Sequence, residues 1–223
     1  MFEEGRKFLK ADAWKYWKDI QSGQQMGAPI PPVEKTVPAG SVLIDLVAPS
    51  DLVSGEMSVR EAIAKRQSLR TYSADSLGLE EISFLLWATQ GVREVLKDGT
   101  ITRRTVPSGG SRQPFETYLL INRVGGIAPG LYRYQPLEHQ LCFLYAQDDM
   151  REKVIEACHG QRFVADAAAV FFWAAVPYRM EWRYTVASHK VIALEGGHLC
   201  QNLYVAAESI NAGRYPPLRM EEV

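Results

Sequence analysis

Cysteine is scarce in this chain, and what there is excludes two common uses of it. Cys142, Cys158 and Cys200 are three, widely spaced and without a Cys-x-x-Cys pair, which argues against a disulfide framework and against a zinc site. No metal site is expected. Charge of one sign is also lacking: 25 Lys+Arg against 26 Asp+Glu leave a net charge of -1, so no global basic field draws the chain to nucleic acid or to an anionic membrane surface. The longest apolar run, residues 167–176 (AAAVFFWAAV), is about half of the roughly 20 residues that a membrane-spanning helix needs. The N-terminal stretch MFEEGRKFLKADAWKYW mixes acids, bases and aromatics and does not resemble a signal peptide. These absences predict a cytoplasmic protein with reduced thiols, partnered by neither nucleic acid nor membrane. No HExxH, P-loop or Ser-His-Asp elbow pattern is present either.

What the chain does have is ordinary globular usage, 47% apolar and 23% charged over 223 residues, enough for a sizeable core. Residues 1–20 suit an amphipathic helix with Phe8, Leu9, Trp14, Trp17 and Ile20 on its apolar side. The proline-bearing stretch from Ser22 to Ser50 reads as an extended arm laid over the main domain or over a partner subunit. Residues 1–54 are therefore set apart as an N-terminal helix and arm, and 55–223 as the main domain. Ser58 and Glu61 have capping-box spacing before a helix over Val59–Lys65, and LEEISFLLWATQG predicts a second helix stopped at Gly91. Strands are expected over 115–124 and 168–176, a hairpin over 130–134 and 140–144, and a helix over 149–158. Ile192, Leu199, Leu203, Ala206 and Ile210 make one stripe on a long helix over 188–211, whose Gly196 and Gly197 suggest close approach by a backbone or a flat ligand. Mixed succession of helices and strands with hairpin signals points to an α+β fold.

Two segments stand out chemically. In Arg66-Gln67-Ser68-Leu69-Arg70, an extended backbone would turn Arg66, Ser68 and Arg70 to one side, an arrangement suited to a phosphate. A solvated basic turn is the plainer reading of the same residues. In RRTVPSGGSRQPFE, Gly109 and Gly110 leave their amides open to close approach, while Ser108, Ser111, Arg112 and Gln113 add side-chain donors. A simple turn explains that loop equally well when it is taken alone.

Taken in order, RQSLRTYS, LEEISFLLWATQGV, PSGGSRQPFETYLLI, GLYRYQPLEHQL and ALEGGHLCQNLYVAA resemble the FMN-dependent nitroreductase family, and within it the branch typified by the SagB-type dehydrogenases. The resemblance spans roughly residues 55–212. It implies a nitroreductase-like fold, a central mixed or antiparallel sheet flanked by helices, in a homodimer that shares FMN across its interface. It also implies ping-pong hydride transfer from NADH, NADPH or an organic donor to a small-molecule acceptor, the flavin carrying the redox chemistry. By motif match Arg66, Gln67, Ser68 and Arg70 would hold the phosphate, ribityl chain and pyrimidine edge. Pro107, Ser108, Gly109, Gly110, Ser111 and Gln113 would close on the ring from the partner subunit, Ser111 standing where the family often has Asn. No catalytic side chain is assigned. Against what the resemblance implies, residues 211–213 are followed by RYPPLRMEEV, so the family's usual C-terminal third is expected to be missing or replaced. That departure keeps open a non-catalytic flavin-fold binding or scaffold protein, and the SagB-type resemblance keeps open an azoline dehydrogenase acting on peptides. Residues 177–188 are the expected cover of the open flavin face. Glu195 is read as a salt-bridge or dimer residue, His198 as a helix-packing histidine and Cys200 as a small core residue.

Overall fold

The computed structural model describes residues 2–97 and 99–212. At the N-terminus α1 (Glu3–Leu9) and α2 (Ala13–Tyr16) replace the single helix expected over 1–20. The break falls at Lys10, whose backbone turns extended (φ -73, ψ 149). α1 buries none of its residues, and a helix this short has too few internal bonds to persist on its own sequence. Phe8, Leu9, Trp14 and Ile20 stay exposed, whereas Trp17 packs 6.0 Å from the Tyr184 ring.

The arm then crosses the body of its own chain and contributes a short strand, β1 (Leu43–Asp45). α3 (Val59–Lys65) starts at the predicted cap, Ser58 Oγ accepting from the Glu61 N–H at 3.2 Å. α4 (Leu79–Gln90) has Glu81 reaching back to the Gly78 N–H at 2.7 Å, and buries Ile82, Leu85 and Leu86. A hairpin follows that the periodicity does not disclose, β2 (Val92–Leu96) and β3 (Ile101–Arg104). Its burial alternates only on β3, so the pattern is weak, but the sequence Lys97-Asp98-Gly99 carries a turn signal and Gly99 has φ +86.

The remaining elements are β4 (Phe115–Ile121), β5 (Gly130–Gln135), β6 (Gln140–Tyr145), α5 (Met150–Ala157), α6 (Arg162–Asp166), β7 (Ala169–Ala175), α7 (Tyr178–Tyr184) and α8 (Ser188–Ser209). Five strands form one sheet in the order β1-β6-β5-β4-β7, antiparallel at every pairing. The fold is the expected α+β class with an antiparallel rather than mixed sheet. Alternation along β4 divides the core between the two faces of the sheet. Leu119 and Ile121 join Tyr132, Tyr134 and Leu141 under α4 and α8, while Leu120 and Val170 join Val154 and Ala165 under α5 and α6. No helix among the described residues is long and apolar enough to cross a membrane.

Polar groups tie the arm down. Trp182 Nε1 donates to the Ala28 carbonyl at 2.9 Å, Arg104 to the Val33 carbonyl at 2.9 Å and Arg133 to the Thr36 carbonyl at 2.7 Å. Of the two places foreseen for the arm, its own domain or a partner, the described contacts are with its own domain. The Lys35 N–H reaches Glu116 Oε1 at 2.9 Å, and that carboxylate is paired with Arg179, the two side chains being 1% and 3% exposed. Removing one member leaves a buried charge uncompensated, which costs about 3–5 kcal/mol, whereas apolar replacement of both is far milder. Arg179→Met is therefore expected to lower the urea-unfolding free energy by about that amount, and Arg179→Met with Glu116→Leu to recover much of it.

His139 gives a second expectation. Its Nδ1 lies 2.7 Å from the Tyr134 hydroxyl, and burial holds the imidazole below its ordinary 6.5. The folded state keeps the ring neutral where the unfolded chain would protonate it, so stability is lost as pH falls below about 6.5. Urea midpoints compared between neutral and mildly acidic buffer should show this loss, and His139→Phe should reduce it.

Candidate functional site

After α3 the chain has no regular structure from Arg66 to Ser73, because no neighbouring strand pairs with it. It forms one wall of a groove of about 430 Å³ whose other walls are β7 and the C-terminal half of α8. Tyr72, Phe171, Trp173 and Tyr204 give the groove an aromatic lining, and Arg66 and Arg123 its positive charge. Their roles differ. Arg123 is committed to the fold, donating to the carbonyls of Ser73 at 3.1 Å and Asp166 at 3.0 Å. Arg66 donates its backbone N–H to the Ala62 carbonyl at 3.0 Å, but its guanidinium, 5.4 Å from the Tyr204 ring, donates to no acceptor among the described residues. Trp173 Nε1 is buried without a partner among the described residues. Burial also pushes the Tyr72 hydroxyl above its ordinary range, with Tyr204 nearby adding to the effect.

The alternation expected along RQSLR does not hold. Arg66, Gln67 and Leu69 line the groove, while Ser68 is exposed and Arg70 turns its guanidinium to 5.9 Å from the Phe163 ring on α6. A period of two needs a ladder to enforce it, and this segment has none.

The glycine loop, residues 107–113, lies elsewhere on the chain, beside the N-terminal half of α8. Pro107 is exposed, and most donors of the loop are already used inside the protein. The Ser111 N–H donates to the Ser108 carbonyl at 3.0 Å, the Arg112 N–H to the Gly109 carbonyl at 3.3 Å, and the Gln113 N–H to Ser108 Oγ at 3.0 Å. Gln113 Nε2 reaches the Thr102 carbonyl at 3.4 Å, and Arg112, 2% exposed, stacks its guanidinium 5.1 Å from the Trp182 ring. The Gly109 N–H, expected to stand open to a ligand, donates instead to Glu195 Oε1 at 2.6 Å. Among the described residues, the Gly110 N–H and the Ser111 hydroxyl donate to no protein acceptor.

The glycines are thus explained first by packing. A Cβ on Gly109 would stand 3.3 Å from both Met180 and Val191, and one on Gly110, whose φ is +58, only 2.7 Å from the Tyr184 hydroxyl. The segment 177–188, foreseen as a cover over the flavin, is built as α7 and a following turn, and it lies against this loop. Among the described residues Glu195 forms no salt bridge; it is an acceptor for the loop amide. Gly196 faces Phe115 of β4, a Cβ there standing 3.4 Å from the ring, while Gly197 has open space.

Within one chain, then, the two segments do not share a cavity. Both touch α8, at Glu195 for the loop and at Tyr204 for the groove, nine residues and so about 13 Å apart along the axis. Tyr204 and Trp173 escape a sequence reading because they occupy ordinary core spacings. The Arg179 and Glu116 pair escapes it because 63 residues separate them. Residues 213–223, with Arg214 and Arg219, lie outside the described residues.

Comparison with known proteins gives this architecture its relatives. The pattern of the nitroreductase family matches residues 63–216. The chain belongs to the nitroreductase family. A Methanocaldococcus jannaschii protein carrying the name nitroreductase is 32% identical over 158 residues, 71% of this chain and 77% of that one. A crystal structure described as a nitroreductase from Ralstonia eutropha superposes with a TM-score of 0.58 at 29% identity, covering 81% of this chain and 80% of its own. Another from Anabaena variabilis gives 0.62 at 23% identity and covers 78% of this chain, which spans only 35% of that longer protein. The E. coli microcin synthetase McbBCD complex with truncated pro-MccB17 bound shares the fold, with a TM-score of 0.54 at 16% identity over 95% of this chain and 84% of that one. Nitroreductases generally use a flavin cofactor, and membership supports an oxidoreductase.

The loop geometry is open to a direct check. Gly110→Ala combines a left-handed backbone, costing about 1–2 kcal/mol, with the collision at Tyr184. Gly126→Ala carries the same backbone cost at φ +80 with nothing within 4 Å. Urea unfolding should rank Gly110→Ala well below Gly126→Ala in stability, and equal losses would remove Tyr184 from the account.

Proposed function

We propose that the protein is an FMN-dependent oxidoreductase of nitroreductase type, acting as a homodimer in the cytoplasm with NADH, NADPH or an organic donor and a small-molecule acceptor. The observation that carries this reading is the groove: four aromatic rings beside a guanidinium with free donors. A flat ring system with carbonyl acceptors and a terminal phosphate fits that donor set. Arg66 would take the phosphate through its forked donors, with Gln67 at the ribityl chain and Ser68 and Arg70 at the rim. A bound flavin supplies two-electron chemistry; the chain orients it and tunes its electrostatics.

In this reading the glycine loop of a second copy would bring the Gly110 N–H and Ser111 hydroxyl to the ring edge. Exposed apolar side chains on α3 and α8, Val59, Ile63 and Leu194, support such an association.

The test is a titration of the protein with FMN and, separately, with riboflavin, followed by absorbance and flavin fluorescence, then anaerobic addition of NADPH or NADH. The wild type should bind FMN more tightly than riboflavin. Arg66→Ala should weaken FMN about 10- to 100-fold, the worth of a charge-assisted hydrogen bond, and leave riboflavin nearly unchanged. A wild-type protein that binds neither flavin would overturn the reading.

A further inference from the structure

Three of four successive positions in the glycine loop are left-handed, Gly110 at φ +58, Ser111 at +54 and Gln113 at +49, and two of these carry side chains that adopt such a backbone reluctantly. Something outside the loop has to hold it. The hydrogen bonds within the loop converge on Ser108, whose Oγ accepts from the Gln113 N–H at 3.0 Å while the hydroxyl bonds in turn to Glu195. The same carboxylate accepts from the Gly109 N–H at 2.6 Å. Both ends of the turn are therefore fastened to one side chain on a 22-residue helix.

Glu195 is 4% exposed and, among the described residues, forms no salt bridge. His198, the titratable neighbour on its own helix, is exposed, and Arg183 of α7 lies over Gly110 rather than at the carboxylate. An acid buried in this way is costly unless its hydrogen bonds compensate, and among the described residues the bonds on hand are those to the loop. Burial accordingly pushes the carboxyl above its ordinary range, and the two loop donors oppose that rise.

We propose that Glu195 is a positioning residue. By occupying the Gly109 amide and the Ser108 hydroxyl, it sets the loop so that the Gly110 N–H and the Ser111 hydroxyl are the donors left for a flavin bound across the dimer. The second half of this statement rests on the FMN reading above; the first does not. It also reassigns Gly109 and Ser108 from ligand contacts to internal anchors.

Amide hydrogen exchange at Gly109 and Gln113 in the flavin-free protein, paired with FMN titration, separates the two halves. Glu195→Ala should speed exchange at Gly109 and weaken FMN by about tenfold or more. Glu195→Gln keeps an oxygen acceptor for the Gly109 amide and should restore most of the protection and affinity. Ser108→Ala, which leaves the Gly109 anchor in place, should speed exchange at Gln113 alone; it carries the test if Glu195→Ala does not fold. Unchanged Gly109 exchange in Glu195→Ala would overturn the anchoring role, and faster exchange with unchanged FMN affinity would overturn its bearing on the ligand. Should the wild type take up no FMN, the flavin reading falls, while Gly109 exchange still decides whether Glu195 sets the loop.

Discussion

Glu116 stands on the inner strand β4 with its carboxylate shut away from water, and the means of compensating that charge draws distant parts of the chain together. Arg179 of α7 pairs with it, and the Lys35 N–H of the arm donates to the same oxygen. Arg179 also donates to the Gln113 carbonyl at 3.2 Å, at the end of the glycine loop. The buried pair thus fixes α7 against the sheet, the arm against β4, and the loop against α7. An apolar pair could fill the same volume, but it would not specify these three attachments, since dispersion contacts have no direction.

The arm is held by the same logic at other points. Arg104 is fully enclosed, and burial pulls its guanidinium down to about 10. Its donors end on the side chain of Gln90 and on the Val33 carbonyl, so an arm carbonyl completes the solvation of a core cation. Arg133 uses the Lys35 and Thr36 carbonyls in the same way. The arm lacks regular hydrogen bonding of its own, and its backbone acceptors are what the buried arginines require.

α8 carries this order to the site. Its apolar residues Ile192, Leu199 and Ala206 are buried, which fixes the helix in rotation. Glu195 then meets the loop and Tyr204 the groove without either having to be placed separately. Within a single chain the two contacts, at Glu195 and at Tyr204, stand about 13 Å apart along the helix. The nitroreductase relationship concerns this arrangement of sheet, long helix and loop, and the polar groups left without protein partners are where the chemistry would enter.

Local sequence was enough wherever a short-range rule governs. The cap at Ser58, the stop at Gly91, the apolar stripe of α8 and the hairpin of β5 and β6 follow from residues within a few positions of one another, and the structure keeps all four. The motif order was legible in the same way, and so was the family. Tertiary structure decided the rest. It broke the N-terminal helix, for which no core face was available, and it denied RQSLR the strand partner that a period of two needs. It turned the Gly109 amide toward Glu195, 86 residues away, instead of toward solvent. Pairings of that length leave no trace in spacing or propensity, because they are chosen by burial: each enclosed charge or amide takes whichever partner the packed elements bring within reach.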